Sequence, residues 1–150
     1  MLAWLIATLH LLALGVGLGA VVARSRALGA RAGTDGPRLP SALLADTLWG
    51  IAALVWIVTG LWRLFGDMDK VTAYYFASPA FHTKMGLLGL VLLLELWPMA
   101  TLVRWRIRLA RGQEIDLAPA RAIARIGMVQ ALLVVAMVFA ATGMARGIGS

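Results

Sequence analysis

Four stretches of the chain, residues 2 to 23, 43 to 65, 80 to 103 and 121 to 144, each run for twenty residues or more with very few charges. A hydrocarbon core about 30 Å thick is crossed by about 20 helical residues rising 1.5 Å each, so every one of these runs is long enough to span a bilayer. In water, helices apolar on all sides would need to be wrapped by polar ones, and 150 residues leave nothing over for the wrapping. The runs therefore predict an all-α integral membrane protein, a single transmembrane domain over residues 1–150, built as an antiparallel bundle of four transmembrane helices. A chain that is 61% hydrophobic and only 14% charged agrees.

Each run has its own punctuation. Ser41 precedes the second as a helix cap, Ser78 and Pro79 open the third as N-cap and first helical residue, and Pro119 precedes the fourth. The connections GARAGTDGPRLP, GDMDK and RGQEIDLAPAR carry the glycine, proline and charge of loops. Arg24, Arg26, Arg31, Arg38, Arg104, Arg106, Arg108, Arg111, Arg121 and Arg125 all fall at the end shared by the first and third loops, leaving Arg63, Lys70, Lys84 and Arg146 toward the other. Basic residues stay on the cytoplasmic side, so both termini are expected outside. The first run lacks a basic leading segment and is followed by Arg24 and Arg26, which reads as a retained signal anchor.

The net charge of +7 does not indicate nucleic acid, because ten of the fourteen basic residues are accounted for by topology and by adjacency to anionic headgroups. Trp4, Trp62, Tyr74, Tyr75 and Trp105 lie near helix ends and read as interfacial belt residues. The chain has no cysteine, so a metal would have to be held by histidine, methionine or carboxylate.

Ionisable groups inside hydrocarbon are costly and mark working sites. The only two histidines, His10 and His82, both belong to apolar runs, in the half of the bundle that bears the termini. Each looks along its helix onto small residues: Ala13 and Gly17 follow His10 at three and seven positions, and Gly86 and Gly89 follow His82 at four and seven. A flat macrocycle lying against a helix needs such an absence of side chains, so His10 and His82 are candidate axial ligands of a haem, with Gly17, Gly86 and Gly89 beneath it. Bare helix packing is the competing explanation; Gly15 and Gly19 form the small-xxx-small pattern that joins membrane helices without any cofactor. Arg63, Lys70 and Lys84 are candidate partners for haem propionates, with Asp67 and Asp69 competing for them and snorkelling to headgroups as the alternative. Lys84 stands two residues, ~200°, from His82, so the two cannot share a helix face.

Glu95 lies 13 positions beyond His82, roughly 20 Å deeper, and belongs to a different shell. A salt bridge to Arg125 accounts for it better than a proton relay does. Asp46 near the start of the second run suits the positive end of a helix dipole, and Pro98 predicts a kink in the third helix. Gln130 and Thr142 stand isolated and carry no assignment.

The segments LHLLAL, AYYFASPAFHTKMGLLGLVLLLELWPM and MARGIG resemble an uncharacterised bacterial four-helix membrane family of the DUF2214 type, over nearly the whole chain. More distantly, a first-helix histidine followed by small residues and an HxK start to a later helix is similar to the haem-dependent membrane protoporphyrinogen oxidases and to CopD-like relatives of b-type cytochromes. That resemblance implies haem b, with His10, His82 and Lys84 in its site, and a location in the bacterial inner membrane. The Asn-Glu-Pro signature of the oxidases' last helix is absent here, so the resemblance implies a haem site and no particular reaction.

Two functions are consistent with this reading. One is a b-type haem protein, a membrane oxidoreductase or electron carrier whose partner is a quinone or a redox protein; ligation by both histidines would close the iron, and ligation by one would leave a position open. The other is a cofactor-free bundle serving as an accessory subunit of a larger membrane complex or a homo-oligomer, in which the histidines bridge helices. Transport is disfavoured, since there is no inverted repeat and little polar lining.

Overall fold

A computed structural model describes residues 1–29, 38–66, 76 and 78–146, the side chains of residues 144 and 145 excepted. It contains four long helices: α1 Leu2–Gly29, α2 Leu39–Phe65, α3 Pro79–Ala110 and α4 Ala120–Ala145. All four are long and apolar enough to cross a membrane. Large apolar side chains cover the outside, Leu93 at 67% exposure and Phe139 at 73% among them, as expected where the surrounding solvent is lipid.

The helices extend beyond their apolar runs. α1 continues six residues past residue 23 because Arg24, Ser25 and Leu28 are buried by their neighbours rather than turned out to headgroups. α2 starts at Leu39, ahead of the expected cap Ser41, and Pro40 occupies its first turn, where a missing N–H leaves no bond unmade. α3 begins where expected: Ser78 is its extended N-cap and Pro79 its first residue. It ends at Ala110, and Gly112 just beyond takes a φ of 65°, which suits a residue without Cβ.

α1 packs along α2 on one side and α4 on the other, and α3 packs on α4, while α2 and α3 make no comparable contact. One apolar core draws Ala20 and Val21, Trp49, Val91, and Ala131, Val134 and Met137 from all four helices. A second, at the arginine-rich end, joins Leu28, Ala42, Leu102, Trp105 and Ile123. Trp105, expected in the interfacial belt, is thus a core residue, 4% exposed. Trp4 and Trp62 are exposed, and Tyr74, Tyr75, Lys70, Asp67 and Asp69 lie outside the described residues.

The Gly15 and Gly19 pattern does not join α1 to another helix. Gly15, Gly19, Gly86 and Gly89 have nothing within 4 Å of where a side chain would begin, whereas Gly17 lies against Trp49 and Ala52 of α2, and a Cβ on Gly127 of α4 would collide with Ser25 Oγ of α1. Close helix approach is therefore made at α1–α2 and α1–α4, where a flat indole or a serine fills the space the glycine leaves.

Candidate functional site

Polar side chains enter the bundle at two levels. Toward the end that bears the termini, His10 is buried on the α2 side of α1, with its Nδ1 2.9 Å from Thr59 Oγ1. The Thr59 hydroxyl donates to the Val55 carbonyl at 2.7 Å, so its proton is already placed and the oxygen is left to accept. With that proton on Val55, Nδ1 of His10 donates to Thr59 and Nε2 carries the lone pair; a ring N–H of His10 also engages the Trp56 carbonyl. Trp56 lies alongside, its ring centroid 5.6 Å from that of His10. Gly60 lets the ring in, since a Cβ there would stand 3.2 Å from His10 Cε1. The charges of Lys84 and Arg63 both act on His10, and Arg63 acts on Lys84.

His82 is placed differently. It is exposed, its Nδ1–H donates to the Ser78 carbonyl of its own helix at 3.0 Å, and its ring meets the edge of Phe81. The buried stripe of α3 runs through Phe81, Val91, Pro98, Leu102 and Trp105. Lys84 lies on that stripe at helical spacing from Phe81 and Val91, and the ~200° separating positions 82 and 84 sends His82 to the opposite face. Among the described residues no group of three or more His, Cys, Asp or Glu side chains is placed to hold a metal.

Beneath His10 on the same face, Ala13, Leu14 and Gly17 of α1, Trp49, Ala52, Ala53 and Trp56 of α2, and Val134 of α4 line an apolar crevice of about 190 Å³, its open side included.

At the second level Arg24 is fully buried and gathers all four helices. Its guanidinium grips Glu95 of α3 as a fork, Nη1 to Oε1 at 2.6 Å and Nη2 to Oε2 at 2.9 Å. The same Nη1 reaches Asp46 Oδ1 of α2 at 2.9 Å, and Nη2 reaches Gln130 Oε1 of α4 at 3.0 Å. Gln130 returns its amide to Glu95 Oε2 at 2.8 Å and to the Val91 carbonyl at 3.2 Å. Arg106 closes the other side of Asp46 at 3.0 Å while also donating to the Leu43 carbonyl and Thr47. Two guanidinium groups and two carboxylates thus cancel in charge.

Glu95 therefore pairs with Arg24 and not with Arg125, which is exposed on α4. The reason is the length of α1: its helix carries Arg24 inward at the depth of Glu95. Asp46, expected to serve a helix dipole, is held between Arg24 and Arg106. Gln130, unassigned from sequence, is 0% exposed at the centre of this network. It could have been found there, since Ile123, Gly127, Val134 and Met137 flank it at the spacing of a buried stripe.

The family model described as "Predicted membrane protein (DUF2214)" matches residues 2–149. The chain belongs to that family. No curated protein and no solved structure matches it. In this DUF2214 protein the two polar levels have different chemical capacity. The Arg24 network has every carboxylate oxygen engaged and leaves a single donor, Arg24 Nε, without a partner. The His10 level holds one imidazole, bonded to Thr59 and within electrostatic reach of Lys84 and Arg63.

Proposed function

We propose that this protein is a b-type haem-binding membrane protein acting in electron transfer, with the haem held at the terminus-bearing level by His10. The observation that carries the reading is the Thr59 hydroxyl, 2.9 Å from His10 Nδ1 and 2.7 Å from the Val55 carbonyl, an arrangement that favours the His10 proton on Nδ1. Metal-bound histidines are held in this way, the second nitrogen bonded to an oxygen that sets tautomer and ring orientation. The donor set fits the group: His10 Nε2 for iron, and Lys84 and Arg63 for the two propionates. When bound, haem supplies a one-electron couple between the protein and a quinone or redox-protein partner.

The chain's own residues do the rest. Thr59 orients the imidazole; Trp56 and the apolar lining keep water from it; Lys84 and Arg63 supply positive potential, which favours the more reduced, more negative state. The crevice beneath His10 has room for little more than a water molecule, far below ordinary ligand sites of about 300–1,000 Å³, so on this reading the macrocycle lies outside it, on the α3 side of His10. His82 would join His10 on one iron only after α3 turned by roughly half a revolution, so these side chains favour ligation through His10 alone. By the distribution of arginine, the network end lies in the cytoplasm and both termini outside, in a bacterial inner membrane.

The test is spectroscopic. Protein purified in detergent from haem-replete cells is expected to be red, with a Soret band that shifts on reduction. His10→Ala should abolish it and His82→Ala should leave it in place. A colourless protein would sink the proposal and support the cofactor-free accessory subunit. Loss of the band in His82→Ala alone would move the ligand to the third helix.

A further inference from the structure

Of the two histidines, His82 is the one that the haem site leaves unused. It stands in the first turn of α3, exposed on the face opposite the buried stripe. Its ring is held all the same. Nδ1 lies 3.0 Å from the Ser78 carbonyl, which can only accept, so in the neutral ring Nδ1 bears the proton and Nε2 keeps its lone pair.

Aromatic side chains flank that ring. Phe81 meets it edge-on with centroids 6.0 Å apart, and the exposed Phe76 meets Phe81 in the same way at 5.6 Å. Along the helix, Gly86, Gly89 and Leu93 follow His82 at four, seven and eleven positions and share its face. Gly86 and Gly89 have nothing within 4 Å of where a side chain would begin, so the surface beneath the imidazole is bare for two turns, and Leu93 then stands exposed to lipid. An acceptor at the helix end, aromatic edges beside it and a bare track leading into the acyl chains match a ring that carries a hydroxyl at the interface and an apolar tail in the membrane.

We propose that His82 binds a prenylated quinol through Nε2 and takes a proton from it as it is oxidised; this names the electron donor of the haem reading above and rests on that reading. Lys84, ~200° round the helix, lies on the opposite face, so quinol and haem stand on the two sides of α3, separated by the width of one helix, about 10–12 Å. Oxidation of one quinol to quinone breaks two O–H bonds and releases two electrons and two protons. The electrons leave one at a time, in two successive reductions of haem iron(III) to iron(II). The hydroxyl at His82 gives its proton to Nε2, which passes it to water at the helix end, and the second hydroxyl gives its proton to water directly.

A short-chain benzoquinol added to the oxidised protein in detergent tests this, with the shift of the Soret band as the readout and dithionite as the control reductant. Quinol should reduce the native protein. His82→Ala should keep its Soret band and its full reduction by dithionite, while reduction by quinol falls about 100-fold or more, the usual worth of a proton acceptor. His82→Gln keeps an acceptor but no base, so kcat should fall and KM stay near the native value. Gly86→Leu, at a position with open space around it, should raise KM and leave kcat unchanged. Native protein that dithionite reduces and quinol does not, or His82→Ala reduced by quinol at the native rate, would overturn the proposal. So would loss of the Soret band in His82→Ala, which would make His82 an iron ligand, whereas native protein with no Soret band would sink the haem reading itself and this inference with it.

Discussion

At the network level, side chains from four helices close on one another until no carboxylate oxygen is left over; at the His10 level, one imidazole meets one hydroxyl and keeps a lone pair beside two cations. Both place costly groups where water is scarce; in the first every carboxylate oxygen meets a donor and only Arg24 Nε is left over. Complete compensation makes a clasp: it fixes which helices meet and at what depth, and leaves nothing to bind with. On the proposed reading a ligand completes the second set, which puts His10 and not Arg24 at the centre of the candidate site.

The largest effect should come from breaking the clasp on one side. Arg24→Leu would strand Glu95 and half of Asp46 without their cation, and removing one partner of a buried pair costs about 3–5 kcal/mol. Arg24→Leu with Glu95→Leu removes both charges and should recover most of that loss, because an apolar pair of similar volume avoids desolvation altogether. Unfolding in detergent measures both variants, and any haem spectrum should remain that of the parent in the double variant. A single variant costing under about 1 kcal/mol would mean that water or lipid headgroups already satisfy Glu95, and the contrast between the two levels would fail.

A smaller effect tests the α1–α4 contact that carries Arg24 to its depth. A Cβ at Gly127 would collide with Ser25 Oγ, while the Ser25 Cβ stands at 3.5 Å, an ordinary contact. Gly127→Ala alone should destabilise by about 1–3 kcal/mol through overpacking. Adding Ser25→Ala should reverse this, since the clash disappears and alanine is the better helix former by about 1 kcal/mol. Thermal melts of the three variants decide it: no rescue in the double variant would place the strain elsewhere on α4.

These results also show what could be read in advance. Length and hydropathy were enough for the four spans, and Ser78 with Pro79 for the start of α3. The faces were harder, for a physical reason. In lipid the outer side of a helix is as apolar as the inner, so periodicity hardly separates them, and Trp105 could be assigned to the belt when it is in the core. Arg24 was counted as topological charge because it follows an apolar run; that the helix would carry on and bury it depended on Glu95, Asp46 and Gln130, each on a different helix. Their shared depth is a tertiary fact. His10 and Lys84 were visible as costly intramembrane groups, whereas Thr59, the residue that sets the His10 tautomer, looks in sequence like any threonine bonded to its own helix.

Thr59 gives the finest test of the difference between the levels. Thr59→Val keeps the shape and removes the oxygen, so His10 loses its only hydrogen bond to another side chain among the described residues. Stability should fall by about 1 kcal/mol, the net worth of one such bond. Haem retention should fall far more, by about 10–100-fold, because the tautomer that presents Nε2 is no longer enforced. Thr59→Ser keeps the hydroxyl and should restore retention. If valine and serine hold haem equally, as read by the Soret band after dilution into a haem acceptor, then the His10–Thr59 bond joins α1 to α2 and nothing more, and the two levels would differ in size but not in kind.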